Sequence, residues 1–327
     1  LNSSRRLVAA ALAALSLTMS SCSSHSPAPL RIALPDWPPA EFLHLAREKG
    51  FFSAAGVDVQ LVEFSFPSDL QRAIERRRVD GGVLSIFEVL RAQDRAERAL
   101  QVMLVIDFSN GADAILATGG IADVRALRGR KVGLDGGALS FYVLARALEM
   151  HSMTLDDVIV VRTDAAQMPH ALAAGSLEAV VTYPPARTQI ERATHARPIF
   201  TSAQIPGEIV DVLALDPQVL RDRPADAARL VRAFYRAVEF AASNPQEAHA
   251  IMARREHLDR RDFGKALHDG VTLVSLENQQ RFLGAGSQLP AVMRTANTLM
   301  RESGQLVGAP RALPGLDSTA AAAASEP

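Results

Sequence analysis

Short apolar runs alternate with amphipathic stretches from residue 30 to residue 215. Runs rich in branched aliphatic side chains, several with polar residues at alternate positions, predict strands. The predicted strands lie at residues 30–34, 57–64, 83–86, 102–106, 114–117, 131–134, 158–161, 179–182 and 207–215. Apolar residues at helical spacing predict helices at residues 42–51, 69–77, 141–148, 167–174 and, with one continuous apolar face, 225–242. This alternation predicts an α/β fold with largely parallel sheets.

Composition excludes several classes of protein. The 327 residues include 48% hydrophobic and 22% charged side chains, which excludes a disordered or polytopic membrane chain and leaves room for two domains. Lys plus Arg number 35 against 36 Asp plus Glu, a net charge of −1, so we expect no nucleic-acid partner. A single cysteine excludes an internal disulfide and a cysteine-based zinc site. Residues 309–327 are rich in Pro, Ala and Ser, which predicts a disordered tail.

The first residues have the features of an export signal. Arg5 and Arg6 precede an apolar stretch at residues 7–17 that is too short to cross a bilayer as a helix. The following run, MSSC at residues 19–22, resembles a bacterial lipobox, in which the cysteine is acylated. The alternative is a chance cysteine beside an ordinary cleavage site. We favour the lipobox, which predicts a signal peptide (1–21), a tether (22–29) and a protein anchored through the lipid on Cys22 to a membrane, in the periplasm or at the cell surface.

Motifs for catalysis or cofactor binding are missing from the sequence. There is no GxSxG elbow, no P-loop and no complete GxGxxG run, and none of the eight histidines stands in an HExxH pair. His268 and Asp269 are neighbours on a predicted helix and therefore cannot face each other as a base and its orienting acid. We expect no enzyme activity, no catalytic residue, no cofactor and no metal.

Six predicted loops are candidates for a ligand site, because open α/β sheets bind ligands beyond the carboxyl ends of their strands. They lie at residues 36–39, 85–88, 107–111, 136–140, 183–185 and 206–208. Trp37 precedes two prolines and is either a flat wall for a ligand or ordinary core packing. Gly137 and Ser140 stand at a predicted helix start, where free backbone N–H groups favour an anion or a carbonyl oxygen. The alternative there is a glycine turn capped by Ser140.

Several runs, taken in order, resemble a known family. They are residues 37–59 (WPPAEFLHLAREKGFFSAAGVDV), 79–81 (VDG), 107–113 (DFSNGAD), 127–133 (LRGRKVG), 179–185 (AVVTYPP) and 206–213 (PGEIVDVL). Over residues 30–255 the chain is similar to ABC-transporter solute-binding proteins of the nitrate/sulfonate/taurine and thiamine-pyrimidine (SsuA/THI5-like) family. The resemblance implies a type II periplasmic-binding-protein fold, with two α/β lobes around a ligand cleft. It implies crossings near residues 114–120 and 202–209, which divide the chain into lobe I (30–115 plus 205–308) and lobe II (116–204).

The resemblance also implies a function and a set of ligand contacts. Carried over residue by residue, the contacts are Trp37, Ser85, Glu88, Asp107, Ser109, Asn110, Gly111, Gly137, Ser140, Tyr183 and Glu208. The implied protein is a monomer that captures a small solute by closing its two lobes. It then presents the closed form to an ABC permease with its ATPase.

Three other functions are compatible with this resemblance. A periplasmic ligand receptor could feed a signalling partner instead of a permease. Pyrimidine synthases resemble this family, but they rely on a cysteine-rich run, and Cys22 is the only cysteine of this chain. Effector domains of transcription regulators share the fold, but a helix-turn-helix segment precedes them where this chain has its export signal.

The charges in the six loops bear on the identity of the ligand. Asp36, Glu88, Asp107, Asp113 and Glu208 lie in or next to these loops, and Lys and Arg are missing from all of them. Arg187 or Arg146 could pair with one of the acids, and the acids could instead face solvent. If two or more face the cleft, they would repel a small oxyanion. We therefore expect a neutral or cationic nitrogenous solute, such as a pyrimidine precursor or an amine.

Overall fold

A computed structural model describes residues 28–96 and 99–325 of the chain. The strands are β1 (Leu30–Pro35), β2 (Val59–Phe64), β3 (Gly81–Ser85), β4 (Gln101–Ser109), β5 (Ala114–Ala117), β6 (Lys131–Leu134), β7 (Ile159–Arg162), β8 (Ala179–Thr182), β9 (Arg197–Thr201), β10 (Val210–Leu215), β11 (Val271–Leu273) and β12 (Gly315–Leu316). The α-helices are α1 (Glu41–Glu48), α2 (Phe51–Ala55), α3 (Pro67–Glu75), α4 (Ile86–Ala96), α5 (Ala138–Met150), α6 (Met168–Ala173), α7 (Ala186–Ala193), α8 (Pro217–Asp222), α9 (Pro224–Ser243), α10 (Pro245–Arg255), α11 (Arg260–His268), α12 (Gln279–Leu283), α13 (Leu289–Glu302) and α14 (Thr319–Ala324). Short 3-10 helices lie at Pro38–Ala40, Val124–Leu127, Leu155–Asp157, Ala165–Gln167, Ser202–Gln204 and Leu276–Asn278.

The strands form two sheets. The first has the order β11-β4-β10-β3-β1-β2, with β12 also beside β4, and the second has the order β7-β6-β8-β5-β9. Strands β1, β2 and β3 are parallel, and so are β6, β7 and β8, whereas β5 and β10 run antiparallel to their neighbours. Strands β5 and β10 are each the first strand after the chain crosses from the other sheet. The predicted fold class is thus confirmed: two α/β lobes, joined by two crossings.

The two crossings lie side by side. The first, at residues 110–113, ends before β5, so it lies a few residues earlier than the sequence predicts; the second spans residues 202–209. The Ser109 and Ser202 hydroxyls are 2.8 Å apart, and the Asn110 N–H donates to the Gly270 carbonyl (2.7 Å). Gly270 has a φ of +84°, and a Cβ there would lie 2.6 Å from the Ala112 nitrogen. A side chain at this position would therefore push the first crossing out of place.

The lobes also meet through an apolar contact beside the crossings. Phe87 of α4, in the first lobe, stacks on Tyr142 of α5, in the second, with ring centroids 4.1 Å apart and an angle of 24° between the rings. Both side chains are almost completely buried. Strands β3, β5, β8 and β10 are buried along their whole length, as expected for sheets that carry helices on both faces. The carboxyl ends of β3 and β8, and the amino ends of the antiparallel strands β10 and β5 beside them, face the space between the lobes.

The structure departs from the sequence prediction at several places. Residues 86–88, predicted as a loop, begin helix α4, and residues 107–109 belong to β4. Strand β9 was not predicted, because Arg197 and Pro198 interrupt its apolar pattern. The predicted tail at 309–327 is wrong over its described part: β12 pairs with β4, and α14 packs on α9 with Ala320 and Ala321 buried. Alanine favours helices, and its small side chain permits close packing, so an alanine run can be a docked helix.

The predicted signal peptide, Cys22 and residues 22–27 of the tether lie outside the described residues. Among residues 28–96 and 99–325, every helix is too short or too polar to cross a membrane.

Candidate functional site

A cavity of about 280 Å³ lies between the two lobes. The first lobe contributes the ends of β1, β2 and β3 and the start of α4, and the second contributes the end of β8 and the starts of α5 and α7. Apolar side chains form part of the wall: Trp37, Phe64, Phe66, Leu70, Leu139, Met168 and Val181. Carboxyl side chains form another part: Asp36, Glu88, Asp113, Asp135, Asp211 and Glu256. The volume is close to the lower end of the usual range for small-molecule sites, about 300–1,000 Å³.

Two aromatic rings face each other across the lobes at this cavity. Trp37, after β1, and Tyr183, after β8, meet edge to face, with centroids 6.0 Å apart and an interplanar angle of 81°. Each ring is fixed by a carboxylate. The Trp37 Nε1–H donates to Asp107 Oδ2 (3.2 Å), and the Tyr183 hydroxyl donates to Asp135 Oδ2 (3.3 Å). The pair thus gives the cavity a rigid aromatic wall.

The N-terminus of α5 borders the cavity, but the protein's own carboxylates occupy its donors. Asp135 Oδ1 accepts hydrogen bonds from the Gly137 N–H (2.9 Å) and the Ser140 hydroxyl (2.6 Å). Glu88 Oε1, from the other lobe, accepts from the Leu139 N–H (3.1 Å), while its second oxygen accepts from the Ser85 hydroxyl. A helix N-terminus attracts anions, and here the side chains of Asp135 and Glu88 already supply them.

Three aspartates lie close together where the two crossings meet the first sheet, and two of them, Asp113 and Asp211, line the cavity. Asp107 on β4 lies behind the wall, directly opposite Asp211 on β10 in the antiparallel ladder. Burial raises the pKa of both Asp107 and Asp211, and the charge of Asp107 raises the pKa of Asp211 further. Burial also raises the pKa of Asp113 to about 6, although the Ser109 hydroxyl and the Arg187 charge oppose this shift.

A second carboxyl pair, Glu41 and Glu256, lies beside Arg255. Arg255 Nε donates to Glu41 Oε1 (2.6 Å), and its Nη1 donates to Asp36 Oδ1 (3.0 Å). Glu256 lines the cavity and is 2% exposed, yet neither of its oxygens has a hydrogen-bond donor among the described residues. Burial, followed by the charge of Glu41, raises the pKa of Glu256 well above its usual value. Arg255 therefore neutralises Asp36 and Glu41 but leaves Glu256 without a direct partner.

The structure brings six of the eleven predicted ligand contacts together in the cavity wall. These six are Trp37, Ser85, Glu88, Gly137, Ser140 and Tyr183. The other five lie outside it. Asp107 lies behind Trp37 and Asp211, and Ser109, Asn110 and Gly111 belong to the first crossing, where the Gly111 N–H donates to the Ser202 hydroxyl (2.6 Å). Glu208, the fifth, accepts hydrogen bonds from Arg146 and Tyr142 on α5.

The prediction that acids of the six loops face the cleft holds for some of these acids and not for others. Asp36, Glu88 and Asp113 line the cavity, but Glu208 is held by Arg146, one of the two pairings considered. Arg187 instead forms an ion pair with Glu191 and donates to the Gly111 and Ala112 carbonyls. Sequence reasoning missed Asp135, Asp211 and Glu256. Each gave only a weak signal in the sequence. Asp135 precedes a glycine turn, Asp211 lies in the middle of an apolar strand, and Glu256 ends a charged run.

The wall of the cavity contains few basic side chains. Within residues 28–96 and 99–325, no Lys or Arg lines the cavity, and His257 is the one basic side chain in its wall. No group of three or more His, Cys, Asp or Glu side chains in this part is arranged to hold a metal ion. Of the carboxyls in this wall, Asp36 is paired with Arg255, whereas Asp211 and Glu256 have no ion-pair partner within the described residues.

Comparisons with known proteins agree with the fold. The sequence model of the family described as "NMT1/THI5 like" matches residues 37–248. A protein of Brucella abortus (strain 2308) that bears the name of a binding protein is 23% identical over 242 residues, 71% of this chain and 73% of the relative. A 4-amino-5-hydroxymethyl-2-methylpyrimidine phosphate synthase of Aspergillus parasiticus is 32% identical over 123 residues, which cover 37% of this chain and 35% of the enzyme.

Solved structures show the same architecture at low sequence identity. The alkanesulfonate-binding protein of Xanthomonas axonopodis pv. citri bound to MOPS superposes with a TM-score of 0.74, at 16% identity over 88% of this chain and 96% of that one. The periplasmic aliphatic sulphonate binding protein of Escherichia coli gives a TM-score of 0.71, at 18% identity over 86% and 94%. A desulfurization enzyme gives 0.57, at 16% identity over 84% and 93%. At these identities the likeness shows the fold alone.

Proposed function

The chain belongs to the NMT1/THI5-like family, and on that premise we propose that it is the solute-binding component of an ABC importer. It captures a small nitrogenous solute, such as a pyrimidine precursor or an amine, and delivers it to a permease. The observation that carries the proposal is the cavity itself, whose wall is shared between two lobes joined by two crossings. The names of the structural neighbours, two of them sulfonate-binding proteins, support the same general role.

Polar contacts across the cleft suit a protein that closes over its ligand. The Arg91 Nη1–H of the first lobe donates to the Gly136 carbonyl of the second (3.1 Å), and Glu88 accepts from the Leu139 N–H. Trp37 and Tyr183 meet across the same gap. A ligand bound between the lobes adds contacts that exist only when they are closed, so its binding energy shifts the equilibrium toward the closed form. The permease then recognises that form.

Retention of a natural ligand and closure around it test this proposal. Native mass spectrometry of protein purified without denaturation should detect a small bound molecule. The same protein, stripped by unfolding and refolding, should have a larger radius of gyration in small-angle scattering and should contract when the molecule is returned. Identical scattering of the loaded and stripped forms would show that the chain does not close, and would contradict the proposal.

Enzymatic activity is the second candidate, because a pyrimidine phosphate synthase and a desulfurization enzyme are among the similar proteins. The match to the synthase covers 37% of this chain, and the sequence has no cysteine beyond Cys22 with which to repeat a cysteine-rich catalytic run. The wall of the cavity offers His257 but no nucleophile paired with it. A returned ligand that is recovered chemically unchanged after prolonged incubation would favour binding over catalysis.

We further propose that Cys22 carries a lipid that holds the protein at a membrane in the periplasm or at the cell surface. The sequence supports this through the apolar stretch and the MSSC run that precede the folded part. Metabolic labelling with a fatty-acid analogue should mark the wild-type protein and not the Cys22→Ala variant. Labelling of Cys22→Ala would contradict the anchor without affecting the solute-binding proposal.

A further inference from the structure

The hydrogen-bond donors at the start of α5, a helix N-terminus that could hold an anion in this cavity, are already used by the protein's own carboxylates. Asp135 and Glu88 accept the hydrogen bonds of Gly137, Leu139 and Ser140 at the start of α5. An incoming sulfonate or nitrate would have to displace a buried carboxylate to reach these donors. It would then leave that carboxylate without partners in a site of low dielectric, which is costly.

The remaining carboxyls of the wall are not held in this way and would be stabilised by a positive charge. Asp211 and Asp113 line the cavity, and the Asp107 oxygen Oδ1 behind them has no hydrogen-bond donor among the described residues. Glu256, which also lines the cavity and is 2% exposed, has no such donor for either of its oxygens. Buried carboxylates of this kind are stabilised by a proton or by a cation.

The neighbouring arginines cannot supply that cation in this arrangement. Arg255 is bound to Asp36 and Glu41, and Arg187 to Glu191 and two backbone carbonyls. The Arg91 guanidinium donates to the Gly136 carbonyl and to Gln305. The Arg187 charge acts on Asp113, but none of these arginines lines the cavity or forms an ion pair with Asp113, Asp211 or Glu256. A direct positive partner for these carboxyls would therefore come with the ligand.

The non-polar part of the wall indicates the body of that ligand. Trp37 and Tyr183 form a rigid aromatic corner, with Leu139 and Met168 also in the wall. Aromatic rings favour flat apolar groups, and they attract a cation placed against their faces.

We propose that the cavity binds an organic cation: a small planar ring that bears a protonated nitrogen, which donates to Asp211 and Asp113 while the ring rests against Trp37 and Tyr183. This inference rests on the proposed solute-binding function and names the class of solute. The positive nitrogen offsets the repulsion between Asp211 and Asp107, which lie opposite each other in the ladder.

Three probes with one skeleton test the sign of the ligand's charge. Benzylamine is a cation at neutral pH, benzyl alcohol is neutral, and phenylmethanesulfonate is an anion. Calorimetric titration at millimolar concentrations should show binding of benzylamine, with benzyl alcohol weaker by about tenfold or more and no binding of the sulfonate. Scattering measured in parallel should show contraction with benzylamine.

Matched variants locate the charge. Asp211→Asn and Asp113→Asn should each reduce the ratio of benzylamine to benzyl alcohol affinity by about tenfold. Asp58→Asn, at an exposed position outside the cavity wall, should leave that ratio unchanged. A ratio of two affinities is insensitive to a partly unfolded sample, so it remains readable if one variant loses stability.

The outcomes separate this inference from the function on which it rests. Sulfonate binding with contraction would overturn the cation assignment and leave the solute-binding function standing. A ratio unchanged in both Asp211→Asn and Asp113→Asn would also overturn the assignment. If none of the three probes binds, the assignment fails, while the retained-ligand measurement still decides the general function.

Discussion

Two groups of buried carboxylates border the same cavity and differ in their hydrogen bonds. Asp135 and Glu88 lie at the start of α5, and together they accept from two backbone N–H groups and from the hydroxyls of Ser85, Ser140 and Tyr183. Asp211 and Glu256, in contrast, each lie beside a second carboxyl, that of Asp107 and that of Glu41 respectively. The hydrogen bonds of the first group stabilise the folded state, whereas burial of the second group lowers the free energy of unfolding.

This difference separates structural acids from binding acids more clearly than burial or pKa does. Burial raises the pKa of Asp135 and of Asp211 alike, so the direction of the shift cannot distinguish them. The donors around them can. An acid whose oxygens accept hydrogen bonds from neutral donors holds the neighbouring groups in place. An acid beside a second carboxylate is instead stabilised when a cation binds.

The largest expected effect is on stability, from the same substitution in the two groups. Asp135→Asn replaces an oxygen that accepts from Gly137, Ser140 or Tyr183 with an NH₂ group, and it should lower the free energy of unfolding by about 2–3 kcal/mol. Urea denaturation measures this loss. If Asp135→Asn is as stable as the wild type, the first group is not structural and the distinction fails.

The next effect is on the pH dependence of cation binding. Because the pKa of Asp113 is about 6, roughly nine-tenths of this carboxyl is protonated at about pH 5. Benzylamine, whose amine stays protonated throughout, should therefore bind about tenfold more weakly at about pH 5 than at about pH 8. Titration calorimetry at the two pH values measures this, and Asp113→Asn should reduce the pH dependence to the part that Asp107, with a pKa of about 7, and Asp211 contribute. A wild-type affinity that rises on acidification would contradict the assignment.

The same shift acts on the empty protein with the opposite sign. A raised pKa means that the folded state holds the proton more tightly than the unfolded chain does. The contribution of Asp113 to stability is therefore complete below the ordinary aspartate pKa of 3.8, and it is lost as the pH rises through about 6. Between these values, stability without ligand falls while affinity for the cation rises.

A smaller effect is expected for Asp211→Asn, the partner of the first substitution. The amide removes one member of the carboxyl pair and can donate to Asp107 Oδ1, which has no hydrogen-bond donor among the described residues. The free energy of unfolding at neutral pH should rise by about 1 kcal/mol. Urea denaturation beside Asp135→Asn gives the comparison directly. Destabilisation of similar size in both variants would remove the distinction between the two groups.

The sequence predicted the frame of this site better than its charges. Strands β5, β6 and β8 match the predicted ranges residue for residue, because their short apolar runs end at polar or turn-forming residues. The strand ends place Trp37 and Ser140 where a ligand site is expected. Asp211 was missed because it lies inside an apolar run, so its position looks like part of the core. Only the strand ladder shows that Asp211 lies opposite a second carboxyl, that of Asp107, which is far away in the sequence.

Glu256 and the chain's end show a second limit. Glu256 follows two arginines at the end of α10, a pattern typical of a solvated helix face, and its burial depends on the packing of α10 against the loop after β1. The alanine run at the end of the chain has the composition of a tail, and its helix is stabilised by packing on α9. In both cases the deciding contact is tertiary and leaves no local periodicity.

The smallest effect is expected at Glu208, an acid that the family resemblance implies in the site and that the structure places outside it. Arg146 Nε and Nη2 each donate to its carboxylate at 2.9 Å, and the Tyr142 hydroxyl donates at 2.7 Å. Glu208→Gln keeps the shape and part of these hydrogen bonds but removes the ion pair. The free energy of unfolding should fall by about 0.5–1 kcal/mol, and benzylamine affinity should stay within about twofold of wild type. Calorimetry and urea denaturation on one preparation measure both. A tenfold loss of affinity in a fully folded Glu208→Gln protein would return this acid to the binding group, and the line between paired and unpaired carboxylates would then have to be drawn elsewhere.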